Sequence, residues 1–127
     1  MGAQGVYTFT RDIRYRTRTI TVSDGSPFEY EHGEEKGIDV RIAIDMIRLA
    51  AADEYDVALV FSQDQDLSEV ANEVRRISQE QERWIKIACA YPAGSSNPRG
   101  IKGTDWIKIS KLDYDRCLDP RDYRPGK

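Results

Sequence analysis

The sequence has very little histidine and cysteine, two residue types on which much nucleophilic and metal chemistry depends. Its one histidine, His32, lies in a polar stretch, so a Ser-His-Asp or Cys-His arrangement would rest on a loop residue with no obvious orienting partner. The two cysteines, Cys89 and Cys117, are far apart in the chain and resemble neither a redox pair nor a set of zinc ligands. We therefore expect two free thiols and no catalytic triad.

Long apolar runs are missing as well. No stretch of about 18 apolar residues occurs, which is the length that predicts a membrane-spanning helix. The N-terminus lacks the basic and apolar regions of a secretory signal, so we expect a cytoplasmic protein. With 127 residues, of which 39% are apolar and 32% charged, the chain is expected to form a single soluble globular domain.

Positive charge is concentrated near the start of the chain. The net charge is −3, but residues 1–22 carry four arginines against one aspartate, which leaves +3 there and −6 in the remainder. Three of these arginines alternate with uncharged residues, so they share one face of a predicted strand. They are Arg14, Arg16 and Arg18. A turn at Asp24 and Gly25 predicts a β-hairpin over residues 13–31. An arginine face suits a phosphate backbone; a solvated edge strand protected by its charge is an equally good interpretation.

The most informative segment is an apolar run followed at once by acids. Residues 55–61 have the length and β-branched content of a strand buried on both faces. Ser62, Asp64 and Asp66 follow it, and then apolar residues recur at helical spacing from Leu67. Because open parallel sheets bind ligands outside the carboxyl ends of their strands, this pattern predicts an acidic site for a hard cation. One aspartate would suffice to cap the helix, so we favour a metal or catalytic role over capping alone.

Two further acids lie in a predicted helix that begins near Asp39. Asp39 is a candidate site residue, and an N-cap is an almost equally good interpretation. Asp45 follows Arg41 by four residues and precedes Arg48 by three, which predicts an ion pair on the flank of the helix.

Downstream, residues 84–90 and 106–109 predict two more strands, separated by a loop over residues 91–103. Strand, helix and strand in this order predict parallel crossovers, with the loop leaving the carboxyl end of a strand beside the acids. Arg99 and Lys102 in this loop are candidate phosphate contacts, although a solvated loop cation is the simpler interpretation of either one alone.

Four segments together match one known pattern. They are residues 35–40 (Glu-Lys-Gly-Ile-Asp-Val), 55–66 (Tyr-Asp-Val-Ala-Leu-Val-Phe-Ser-Gln-Asp-Gln-Asp), 83–86 (Arg-Trp-Ile-Lys) and 104–106 (Thr-Asp-Trp). The chain resembles the NYN family of PIN-like ribonucleases over most of its length from about Tyr7. The resemblance implies a three-layer α/β/α domain with a mainly parallel sheet, here with an added N-terminal hairpin, spanning residues 1–127.

The resemblance also implies a function. Family members cleave RNA phosphodiesters with a cluster of acids and Mg²⁺ or Mn²⁺. By motif match, the catalytic and metal-site residues would be Asp39, Asp64 and Asp66, with Asp45 and Asp105 as further candidate ligands. The residues expected to guide RNA are Arg14, Arg16, Arg18, Arg99 and Lys102. Residues 111–127 are expected to form a C-terminal tail that is ordered only where Tyr114, Leu118 and Tyr123 pack.

The chain departs from the family pattern at its N-terminus. Members usually begin with a central apolar strand that ends in an aspartate of the metal cluster, and no such segment precedes residue 7. We therefore expect an N-terminally truncated domain whose first strand is missing or replaced. An unfilled position would leave backbone groups unpaired at a strand edge, which favours aggregation. We expect it to be filled by strand exchange or rearrangement in a homo-oligomer, or by residues 6–10 moving inward.

Three functions follow as alternatives. The first is a metal-dependent endoribonuclease. The second is a non-catalytic RNA-binding or oligomerisation module of the same fold, whose RNA affinity would be independent of divalent cations and would fall steeply with salt. The third is a phosphotransferase like the haloacid dehalogenases, which also carry an Asp-x-Asp pair after a strand, although here Leu67 and Ser68 follow the pair in place of a Thr or Val motif.

Overall fold

The computed structural model describes residues 5–124. The chain divides into two compact units, Met1–Ile44 and Asp45–Lys127, and the division falls inside the first helix. The elements, in chain order, are β1 (Arg14–Thr21), β2 (Pro27–Glu34), α1 (Ile38–Ala51), β3 (Val57–Phe61), a short 3₁₀ turn (Gln65–Leu67), α2 (Ser68–Glu80), β4 (Lys86–Pro92), β5 (Asp105–Ile109) and α3 (Lys111–Arg116). Within the described range, no helix has both the length and the apolar content to cross a membrane.

The first unit contains the predicted hairpin. β1 pairs antiparallel with β2, from Arg14 opposite Glu34 to Thr21 opposite Pro27. Gly25 lies in the turn with φ +82°, a left-handed conformation that glycine adopts without steric cost. The hairpin is therefore confirmed, and its second strand extends three residues beyond the predicted end.

Helix α1 begins where the sequence predicts. Gly37 precedes it with φ +90°, and the Oε1 atom of Glu35 accepts the backbone N–H of Ile38 at 2.7 Å. This bond satisfies one of the amides that an α-helix leaves unpaired at its start. Asp39 lies exposed in the first turn, where its charge interacts favourably with the helix dipole.

The second unit is built on a parallel sheet with the strand order β3-β4-β5. The parallel arrangement that the strand–helix–strand order predicts is therefore confirmed. Helix α2 buries its apolar stripe, including Val74 and Ile77, in the core of this unit. Every residue of β4 from Ile87 to Tyr91 is also buried, and the core is completed by Ile101, which has no exposed surface.

The prediction that β3 is buried on both faces is wrong. Alternate residues of the strand, Val57, Leu59 and Phe61, are 50%, 51% and 72% exposed, whereas Val60 on the opposite face is 8% exposed. In the described structure β3 is also an edge strand, because it pairs only with β4. An apolar run shows that a strand can be buried. Whether the strand is buried depends on elements elsewhere in the chain that pack against it.

Of the two alternatives for the missing first strand, the structure does not show the inward movement of residues 6–10. These residues form no strand and add none to either sheet. In the expected tail, Tyr114, Leu118 and Tyr123 are 62%, 56% and 72% exposed. The same segment contains α3, which starts with a capping box between Ser110 and Asp113. Residues 125–127 of the predicted tail lie outside the described residues.

Arg83 joins the end of α1 to the start of β3. Its guanidinium donates to the backbone carbonyl oxygens of Ala50 at 3.0 Å and Tyr55 at 2.8 Å. It also pairs with the carboxylates of Asp53 at 2.9 Å and Asp56 at 3.0 Å. Its side chain is only 19% exposed, so these bonds are partly shielded from water. This one residue therefore satisfies several polar groups at the amino edge of the sheet.

Candidate functional site at the carboxyl edge of the parallel sheet

Asp64 and Asp66 are both exposed just beyond the carboxyl end of β3. The Oδ1 atom of Asp64 accepts the backbone N–H of Asp66 at 3.0 Å, and its own N–H donates to the Oγ of Ser62 at 3.1 Å. Asp64 therefore does cap the short 3₁₀ turn. Asp66 makes no side-chain hydrogen bond or ion pair within residues 5–124, and its charge lies in the first turn of the 3₁₀ helix, where a carboxylate is favourable.

The two glutamines that alternate with these acids hold the loop between β4 and β5. The Nε2 atom of Gln63 donates to the carbonyl oxygen of Arg99 at 2.9 Å. Gln65 donates to the carbonyl oxygen of Gly100 at 3.0 Å and accepts the backbone N–H of Lys102 at 3.1 Å. The backbones of the two candidate phosphate contacts are thus fixed beside the acids, as the sequence predicts. Sequence reasoning missed the glutamines, although the amide–acid alternation was a visible signal.

A buried thiol lies beneath the same edge. Cys89 has no exposed surface, and its Sγ donates to the carbonyl oxygen of Ser62 at 2.9 Å. The same sulfur accepts the backbone N–H of Ile101 at 3.4 Å. Cys89 and the exposed Cys117 are both free thiols, which confirms the prediction from their spacing.

A cleft of about 320 Å³ opens at the same edge of the sheet. Its walls are mostly apolar and come from the ends of the three strands and from α3. The lining residues are Phe61, Ser62, Gln63, Ala90, Tyr91, Pro92, Ile109 and Tyr114. Ser62 and Gln63 place polar atoms on this wall, so the cleft adjoins the segment that carries the acids.

The structure does not bring Asp105 to this edge. Asp105 is the first residue of β5 and lies opposite Ala88, four residues before the strand ends. At the usual rise of a strand, four residues span about 13 Å. Its Oδ2 pairs with the Nζ of Lys86 at 2.6 Å, near the opposite end of the sheet.

The two acids of α1 have different surroundings. Asp45 lies 3.5 Å from the guanidinium of Arg48, which confirms the predicted ion pair on the helix flank. Asp39 belongs to the first compact unit, as do the hairpin arginines.

No three histidine, cysteine or acidic side chains of the described chain lie close enough together to hold a metal ion. The residues present therefore do not form a cage made of protein ligands alone. Mg²⁺ is commonly held by one or two carboxylates, with waters and substrate phosphates filling the remaining positions. The carboxylate of Asp66 and the second oxygen of Asp64 fit that more open kind of site.

These features define an α/β protein with a parallel sheet and an acidic, cleft-bearing carboxyl edge. A family model described as the NYN domain matches residues 4–92. The match covers more than half of the chain, so the chain belongs to the NYN domain family, a family of PIN-like nucleases. The matched region includes Asp39, Asp64 and Asp66 and ends before Arg99 and Lys102. No curated protein and no solved structure gave a significant match.

Proposed function

We propose that this chain is a metal-dependent endoribonuclease domain that cleaves RNA phosphodiester bonds. The observation that carries the proposal is the exposed carboxylate of Asp66, which no side-chain contact in the described structure occupies and which lies beside Asp64 just after β3. Both residues fall within the NYN match. The cap gives Asp64 a structural hydrogen bond, whereas the carboxylate of Asp66 makes no hydrogen bond or ion pair with the described residues.

The proposed ligands for Mg²⁺ or Mn²⁺ are Asp64 and Asp66. Carboxylate oxygens are the ligands that hard cations prefer. When bound, such an ion would stabilise negative charge on the phosphate and help to orient the attacking water. The chain's own part is to hold the two carboxylates on a short, hydrogen-bonded turn and to keep the loop of Arg99 next to them.

The proposed RNA contacts are the loop cations and the hairpin arginines. The backbones of Arg99 and Lys102 are bound by Gln63 and Gln65, the residues that alternate with the acids in the sequence. Guanidinium and ammonium groups at this place would attract the phosphates of a substrate.

Calorimetric titration with Mn²⁺, followed by an RNA-cleavage assay on the same samples, tests the proposal. We expect Asp66→Asn and Asp64→Asn to lose Mn²⁺ binding and to lower cleavage at least roughly a hundredfold. Asparagine keeps an oxygen that can cap the turn, so Asp64→Asn removes the charge while preserving the local structure. Asp105→Asn is the matched control and should bind Mn²⁺ as the wild type does. Unchanged binding and cleavage in Asp66→Asn would contradict the assignment.

A second candidate function is a non-catalytic RNA-binding module of the same fold. What favours it is that the described residues contain no group of three potential metal ligands. This candidate predicts RNA binding in EDTA with an affinity that falls steeply as salt rises, and no cleavage when Mn²⁺ is added. Cleavage that requires Mn²⁺ and is lost in Asp66→Asn would exclude it.

We also propose that the chain assembles with a second copy through β3. The strand offers an unpaired edge together with the exposed side chains of Val57, Leu59 and Phe61. Exposed apolar edge strands readily pair with other chains. Light scattering should give a dimer or larger species for the wild type and a shift towards monomer for Leu59→Lys. A wild type that stays monomeric at high concentration would refute this assembly.

A further inference from the structure

The hairpin has two chemically different faces. Residues opposite one another in an antiparallel pair project from the same side of the sheet, so the register assigns each side chain to a face. We call one side the arginine–aromatic face. Its members are Arg14, Arg16, Arg18 and Ile20 on β1, and Phe28, Tyr30, His32 and Glu34 on β2.

The rings on this face form a continuous row. The centroids of Phe28 and Tyr30 are 6.4 Å apart, with planes inclined by 18°. Tyr30 and His32 follow at 6.2 Å in an edge-on arrangement. Phe28 is 54% exposed and His32 is also exposed, while Tyr30 between them is half-buried, so a ligand can reach the row at both ends. On the neighbouring strand, Arg16 lies opposite His32 and Arg18 lies opposite Tyr30, which places positive charge beside the rings.

The opposite face carries the reverse charge. Glu29 and Glu31 project there, opposite threonines of β1. Tyr15 also lies on this side, next to Gly33, where an added Cβ would come within 3.4 Å of the Tyr15 ring. The hairpin therefore separates its charges, with two glutamates on this face and three arginines against one glutamate on the other.

Glu34 partly neutralises the positive charge of the arginine–aromatic face. It pairs with Arg18 and lies 3.6 Å from Arg16. The hydrogen bond from Arg18 lowers the pKa of Glu34, so this carboxylate is ionised at neutral pH. The face keeps two net positive charges, and its arginine side chains remain more than half exposed, at 61% for Arg16 and 56% for Arg18.

We propose that the arginine–aromatic face binds a single-stranded segment of RNA, with the arginines on phosphates and the rings of Phe28, Tyr30 and His32 stacking on bases. The proposal rests on the proposed function for the choice of RNA as the ligand. A positive groove beside a row of aromatic rings is the combination that holds single strands. In a duplex the base faces are already covered by their neighbours, so the ring row would contribute nothing.

Fluorescence anisotropy with labelled oligouridylate and with an RNA duplex of equal length tests this face, in EDTA so that no cleavage occurs. Tyr30→Ala should weaken binding of the single strand roughly tenfold. Tyr30→Phe, which keeps the ring, should bind as the wild type does. Tyr15→Ala removes a ring from the opposite face of the same hairpin and should also leave the affinity unchanged. Duplex affinity should not respond to Tyr30→Ala.

A pair of charge variants keeps the test decisive if the tyrosine variants disturb the hairpin, which circular dichroism would reveal. Glu34→Gln should raise the affinity for the single strand and steepen its salt dependence, because it releases the arginines to the phosphates. Glu31→Gln makes the same change of charge on the other face and should have much less effect. Equal effects of the two, or strong competition by polyglutamate, would overturn the proposal.

The cleavage assay with Mn²⁺ separates this inference from the nuclease proposal. A Tyr30→Ala effect on binding without any cleavage would support the RNA surface and contradict the nuclease. Cleavage by a chain whose binding ignores both Tyr30 and Glu34 would support the nuclease and overturn the proposed surface.

Discussion

The thiol of Cys89 donates to the carbonyl oxygen of Ser62 while accepting the backbone N–H of Ile101, with distances of 2.9 and 3.4 Å. One buried sulfur therefore connects the segment that follows β3 with the loop that follows β4. These are the two segments that carry the candidate acids and the candidate phosphate contacts. The geometry of the proposed site thus depends on a residue that would take no part in its chemistry.

Replacing this thiol tests the connection. Cys89→Ala would leave a partly buried carbonyl and a buried amide without their partner and would open a small cavity, at a cost of about 1–3 kcal/mol in the free energy of unfolding. Urea denaturation measures this cost. The exposed Cys117 provides the control, because Cys117→Ala should change stability by less than about 0.5 kcal/mol. Equal effects of the two replacements would refute a structural role for Cys89.

Gln63 should control the mobility of the loop that it binds. Its amide donates to the carbonyl oxygens of Asn97 at 2.6 Å and Arg99 at 2.9 Å. These contacts are exposed, so Gln63→Ala should cost only about 1 kcal/mol globally but should open the loop locally. Limited proteolysis should then cut this loop faster than in the wild type. Gln79→Ala on the exposed side of α2 serves as the control, and equal cleavage rates for the two variants would contradict the prediction.

Arg83 should not tolerate lysine. Its fork serves the carbonyl oxygens of Ala50 and Tyr55 at once, and a lysine ammonium cannot reproduce that geometry. We expect Arg83→Lys to lower the free energy of unfolding by about 1–3 kcal/mol, measured by urea denaturation. Arg76→Lys offers a comparison on the helix surface, where Arg76 pairs with Glu73 and Glu80 in contact with water and the loss of stability should be much smaller. A loss of stability in Arg83→Lys as small as that in Arg76→Lys would contradict this role of the guanidinium.

Stability should fall at alkaline pH through Tyr55. Its hydroxyl donates to the carbonyl oxygen of Met46 at 2.7 Å, and burial raises the pKa of Tyr55 above its ordinary value. The unfolded chain therefore ionises this phenol first, so its contribution is complete below about pH 10 and is lost as the pH rises further. Urea denaturation across this range should show a smaller alkaline loss in Tyr55→Phe, which has no phenol to ionise at this position. At neutral pH this variant should be less stable by about 1 kcal/mol. Parallel pH profiles would contradict the assignment to Tyr55.

Much of the fold follows from local patterns. The alternation in the first strand and the turn residues Asp24 and Gly25 predict the hairpin, and short apolar runs bounded by turn residues predict the parallel strands. The sequence pattern does not predict helix α3, because six residues span fewer than two turns and show no recognisable periodicity. Ser110 and Asp113 do show the spacing of a capping box. The exposure of Leu59 was missed for a different reason, since burial of a strand depends on elements distant in sequence.

The candidate site is predictable to a similar extent. Asp64 and Asp66 reach the carboxyl edge because they follow a strand. Asp105 starts a strand of the same parallel sheet, and a residue that starts such a strand lies towards the opposite edge. Its position just before the predicted strand 106–109 indicates the opposite edge, whereas the family motif points to the metal site. The loop contacts of Gln63 and Gln65 join residues more than thirty positions apart, and no local pattern specifies such partners.

The alternation of amide and acid from Gln63 to Asp66 makes this stretch sensitive to changes in length. The partly buried glutamines hold the loop and the exposed aspartates face solvent, in strict succession. Losing or gaining a single residue after Ser62 would exchange the two sets, directing charge towards the loop carbonyl oxygens and amides towards solvent. Natural variation here should therefore occur by replacement, with insertions and deletions displaced to the loop between β4 and β5.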